Sequence, residues 1–130
     1  SVLDFDDATI ESAIFPSIIP EAADLASGLS VRISWMATTA TTGNVSWRVA
    51  LERGNTDLDA DSFDTAAEGN GTANGTSGIP STTSISLTTL DSVAVGEPYR
   101  IRISRVGSDA TNDTMTGDAE LIAVEVRSAA

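Results

Sequence analysis

The chain has 130 residues, the length of one average domain, with 19 acidic residues against 7 basic ones, all arginine, and a formal charge of −12. A nucleic-acid duplex or an anionic membrane surface repels such a chain, so neither is an expected partner. Histidine and cysteine are absent, which removes Ser-His-Asp and Cys-His catalysis, disulfide frameworks and the usual zinc ligand sets.

Serine and threonine contribute 16 residues each, while hydrophobic residues still make up 41%, enough for a core despite the high charge. At the start, Ser1 to Asp7 reads SVLDFDD, without the basic flank or apolar run of a signal peptide. Ala13 to Ile19 carries Phe15, Ile18 and Ile19 around Pro16, and the proline confines this strand to an edge. Glu21 to Ala26 is the one predicted helical turn, ended by Gly28. Leu29 to Met36 alternates, with Leu29, Val31, Ile33 and Trp35 on one face and polar residues on the other. Val45 to Glu52 repeats the pattern through Val45, Trp47, Val49 and Leu51, and the turn-like stretch 38–44 between them predicts a hairpin.

Residues 54–81 form a long connection rich in Asp, Gly, Thr, Asn and Ser, with Phe63 and Ile79 as its main apolar points. Such a length is functional or carries short strands, placed here at Asp64 to Ala67 and Gly71 to Ala73. Asn70-Gly71 and Asn74-Gly75 read as flexible turns. Alternation resumes at Thr83 to Thr89 and at Tyr99 to Val106. It ends with Glu120 to Arg127, whose apolar residues on both faces predict the most buried strand. Six to eight strands with almost no helix predict an all-β fold, an antiparallel two-sheet β-sandwich of jelly-roll type, in a single domain.

The sharpest local constellation is acidic. Counting from Asp57, Asp59, Asp61 and Glu68 fall at loop positions three, five and twelve, the oxygen-ligand spacing of a calcium loop. Position six is Ser62 rather than glycine and no flanking helices are predicted, so the loop also reads as a solvated acidic segment. Paired carboxylates suit glycoside hydrolysis, but nothing selects a pair among 19 acids. Trp35 and Trp47 share their faces with Val, Ile or Leu, which assigns both to the core rather than to a sugar platform. Sequons at Asn44, Asn70, Asn74 and Asn112 arise easily in a chain so rich in Ser and Thr. Arg32, Arg48, Arg100 and Arg102 all take the outward phase of predicted strands. They read either as surface residues paired with Glu52, Glu97 or Glu125, or as a basic stripe for carboxylates on another subunit.

The opening LDFDDATIESAIFPSIIPE, the TDLDADSF segment with the Gly-rich loop Gly71 to Gly78, and the closing DTMTGDAELIAVEVR resemble a small jelly-roll-like β-sandwich domain of tailed-bacteriophage virion structural proteins. The resemblance implies a non-enzymatic module located in the virion, often trimeric. It implies either a capsid decoration or cement subunit that contacts its own copies and the major capsid protein, or a fibre, spike or baseplate domain binding host glycans, with or without calcium. It carries no catalytic residues and no cofactor. Lacking histidine, the domain is expected to behave alike between about pH 6 and 8.

Overall fold

The computed structural model describes residues 2–55, 58 and 62–129. Eight strands account for its regular structure: β1 (Leu3–Phe5), β2 (Ile10–Ile18), β3 (Leu29–Met36), β4 (Asn44–Arg53), β5 (Ala67–Thr72), β6 (Ser81–Leu87), β7 (Pro98–Val106) and β8 (Ala119–Ser128). They form two antiparallel four-stranded sheets, ordered β1-β8-β3-β6 and β2-β7-β4-β5, packed as the expected β-sandwich. Within them β1 pairs with β8, β2 with β7, β3 with β6 and β4 with β5.

Period-two alternation built the core. Val31, Ile33 and Trp35 of β3 and Val45, Trp47, Val49 and Leu51 of β4 are fully enclosed. Trp35 and Trp47 meet across the layers with ring centroids 6.1 Å apart, and Phe5 stands edge-on to Trp47 at 5.5 Å. That contact explains why the predicted hairpin does not form. The apolar faces of β3 and β4 bury against each other, so the two strands sit in opposite sheets and residues 37–43 cross between layers. The two indoles differ in hydrogen bonding: Trp35 Nε1 donates to Thr83 Oγ1 at 3.0 Å, whereas Trp47 Nε1 has no partner among the described residues. Trp35→Phe strands a buried hydroxyl and Trp47→Phe strands nothing, so the first should cost about 1 kcal/mol more in urea unfolding.

Three other expectations change. Glu21 to Ala26 forms turns only, with Ala23 N–H bonded to Pro20 O and Gly28 N–H to Leu25 O, and the described residues contain no helix. Asn70-Gly71 lies inside β5, not in a turn. There Gly69 and Gly71 take the inward phase, where a Cβ would meet Ile85 Cγ1 at 2.8 Å and Trp35 Cζ2 at 3.1 Å respectively. The missing side chains let β5 press onto β6 and close that flank of the sandwich. Finally, β8 is not the most buried strand. Against β3 its register slips, with Ser34 opposite Ala123 but Trp35 opposite Leu121. Ile122 is therefore the extra residue of a bulge, which reverses the inward phase from Ala119 and Leu121 to Val124 and Val126. Ile122 itself is 40% exposed. As expected, β2 with Pro16 is an edge strand.

Candidate functional site

The four outward arginines do not form one stripe. Arg32 lies on the outer face of the β1-β8-β3-β6 sheet, opposite Glu125 in register, while Arg48, Arg100 and Arg102 share the outer face of the other sheet. Arg48 donates through Nε and Nη2 to Glu68 Oε1 at 2.9 and 2.7 Å. Arg100 donates through Nε to Glu52 Oε1 at 2.8 Å and through Nη2 to the same oxygen. Glu52 is almost fully enclosed, so this ion pair is partly shielded from solvent. The guanidinium of Arg102 stacks over Phe63 at 4.6 Å and that of Arg100 at 5.7 Å. Phe63 thus covers part of this face.

Of the calcium-spaced acids, Asp57, Asp59 and Asp61 lie outside the described residues. Glu68 stands in β5 with its carboxylate engaged by Arg48. Asp64 works locally: its Oδ2 accepts from Asp91 N–H at 2.9 Å, and Asp91 Oδ2 in turn accepts from Arg53 N–H at 3.0 Å. Among the described residues no group of three or more acids is arranged to hold a metal ion.

Sequence reasoning missed Arg105. It continues the inward phase of Tyr99, Ile101 and Ile103, and its side chain is wholly buried together with that of Asp113. Nε and Nη2 reach the two carboxylate oxygens of Asp113 at 3.0 and 2.7 Å. Nη1 donates to the carbonyls of Phe5 at 3.0 Å and Gly117 at 2.6 Å, and Nη2 also to that of Met115 at 2.8 Å. All five N–H groups are used, the condition under which a buried guanidinium is tolerated. Asp113 Oδ2 additionally accepts from Ser46 N–H at 3.0 Å. The group ties β1, β4, β7 and the loop before β8 together. A cation in the apolar phase of a core strand was the available signal.

A groove of about 540 Å³ runs along the flank opposite the β5–β6 closure. Phe15, Pro16 and Ser17 of β2 face Leu121 to Val124 and Val126 of β8 across it, with Tyr99 and Ile101 at its base and Val2 and Leu3 at one end. Every lining side chain is uncharged. A second hollow of about 290 Å³ shares Tyr99 and Val126 with the groove and has Arg127 in its lining. Beside the groove, on the outer face of β2, Ile10, Ile14 and Ile18 are 50%, 48% and 61% exposed. No family model, curated protein or solved structure matches this chain. The geometry of the chain itself therefore carries the functional reading. No helix among the described residues is long and apolar enough to cross a membrane.

Acidic groups gather at the β1 end. Partial burial, together with the charges of Asp4, Asp6 and Asp7, holds the Asp118 carboxyl above its ordinary value despite Arg105 nearby. Asp6 is lowered mainly by the Ala8 N–H, and Asp109 mainly by the Asn112 side chain. The signs oppose each other. Asp6 and Asp109 add stability above the ordinary aspartate range and lose it as pH falls through their lowered values. Asp118 costs stability when ionised, so protonating it stabilises the fold. Asp118→Asn should raise the melting temperature at pH 7 by one or two degrees, on the order of 0.5 kcal/mol or less for so exposed a group. The gain should vanish at about pH 3, where the wild-type carboxyl is itself protonated.

Proposed function

We propose that this chain is a non-enzymatic bacteriophage virion structural protein, a capsid decoration or cement subunit that self-associates as a trimer and seats on the major capsid protein. The observation that carries the reading is the apolar flank formed by the exposed row of β2 and the neighbouring uncharged groove. On a chain of net charge −12, copies repel one another over most of their surface and can approach closely only where charge is absent. Contiguous exposed apolar surface of this kind marks association sites. The groove has the volume of a binding cleft but no carboxylate, amine or guanidinium among its lining residues, which favours packing against a partner over acid–base chemistry. The pairings β1·β8, β2·β7, β3·β6 and β4·β5 are those of a jelly roll and support that wrapping of the sandwich.

Size-exclusion chromatography with light scattering tests self-association. A species of three times the monomer mass is expected at micromolar concentration, and Ile14→Asp or Ile18→Asp should dissociate it without lowering the melting temperature. A wild-type chain that stays monomeric and does not sediment with virion shells would refute the reading.

A further inference from the structure

We infer that Asn74 is a self-modification site, at which the Gly75 nitrogen attacks the asparagine carboxamide and converts it to aspartate and isoaspartate. The inference is independent of the assembly reading. Such attack is least hindered where glycine follows asparagine, because glycine has no side chain to crowd its own nitrogen and leaves the main chain free to turn. The chain holds two such pairs, Asn70-Gly71 and Asn74-Gly75, and the fold separates them.

At Asn74 the reacting groups can meet. The residue lies just past the end of β5, and Asn74, Gly75 and Thr76 are all exposed. Gly75 N–H has no hydrogen bond among the described residues, and a Cβ on Gly75 would meet nothing within 4 Å. Asn74 Oδ1 accepts from Thr76 N–H at 3.0 Å. That bond folds the carboxamide back toward the peptide it reacts with, and its donor points at the oxygen on which negative charge develops during attack. Gly75 N gives its proton to water and bonds to Asn74 Cγ; the Cγ–Nδ2 bond breaks and ammonia leaves, closing a five-membered succinimide. Water then opens the ring at either carbonyl, leaving aspartate or an isoaspartate whose main chain runs through the former side chain. Water is the only co-reactant.

Asn70 has the same successor in sequence without the same freedom. Gly71 sits in β5 opposite Val45. The bond from Ala73 N–H to Gly43 O at 2.9 Å sets the phase of the ladder, so two residues earlier Gly71 N–H points at β4 and away from the Asn70 side chain. Asn70 Nδ2 donates to Asn112 Oδ1 at 3.3 Å, and Gly71 is pressed against Thr83 and Trp35. Attack there must await opening of β5. The segment around Asn74 is anchored on both sides, by the Ala73–Gly43 bond and by Gly78 N–H to Ala37 O at 3.0 Å. The new charge and the extra main-chain atom of isoaspartate are therefore confined to the exposed turn between the anchors.

The test incubates the full chain at mildly alkaline pH and follows each asparagine by fragmentation mass spectrometry. The mass gain of amide-to-acid conversion should accumulate at Asn74 at least tenfold faster than at Asn70, with isoaspartate as well as aspartate in the product. In urea, where β5 is open, the two rates should converge. Gly75→Val, whose side chain has room in the fold but crowds the attacking nitrogen, should slow the reaction at Asn74 at least tenfold with the melting temperature unchanged. Equal rates at the two sites in the folded chain, a product without isoaspartate, or an unchanged rate in Gly75→Val would overturn the inference.

Discussion

Replacing Arg105 by methionine is expected to lower the unfolding free energy by about 3–5 kcal/mol, because it leaves the Asp113 carboxylate buried without its counter-charge. For a domain of this size that is a drop in melting temperature on the order of 10–20 °C. The loss extends beyond one ion pair, since the guanidinium also satisfies the carbonyls of Phe5, Met115 and Gly117. Asp113→Leu alone should be similarly damaging, as it strands both the guanidinium and the Ser46 N–H. The double variant Arg105→Met, Asp113→Leu should recover at least about 2 kcal/mol relative to the sum of the single effects. Additive losses in that cycle would show that the two side chains act independently, contrary to the geometry.

Gly71→Val is the second large effect, with an expected cost of about 3 kcal/mol or more, at the upper end for overpacking. A Cβ there runs into Thr83 Oγ1 and comes within 3.1 Å of Trp35 Cζ2 and 3.3 Å of its Nε1. It therefore displaces the partners of the buried Trp35–Thr83 hydrogen bond. Gly75→Val provides the control. It follows an asparagine just as Gly71 does, but a Cβ there meets nothing within 4 Å, so its effect should stay within about 0.5 kcal/mol. Urea unfolding of the two variants side by side separates a glycine needed for close approach of the sheets from one that merely lies in a turn.

The same two positions show where sequence reasoning stopped. Alternation in β3, β4, β6 and β7 located the inward side chains and both tryptophans, because period two is a local property of each strand. Which strands become neighbours depends on how the apolar faces are finally covered. The 37–43 connection therefore read as a hairpin although it crosses between sheets. The sequence marks Gly71 as a turn residue or the start of a short strand and gives no signal at Gly69, because the role of both is to leave room for Ile85 and Trp35, residues distant in sequence. A bulge such as the one at Ile122 shifts the phase within a strand and cannot be counted from periodicity alone, which is why β8 was expected to be the most buried. The outward phase of Arg48, Arg100 and Arg102 was legible, and so was Glu52 as a partner. Their division from Arg32 followed from sheet membership, which no spacing encodes. Arg105 was legible in principle, as a charge at a core position that must find a partner.

Quantitative mass spectrometry of purified phage particles tests the proposed role most directly. A decoration subunit should be present at a copy number close to that of the major capsid protein, and should be lost together with its trimer contacts in Ile14→Asp. Absence from the particles, or only a few copies in each, would contradict capsid decoration.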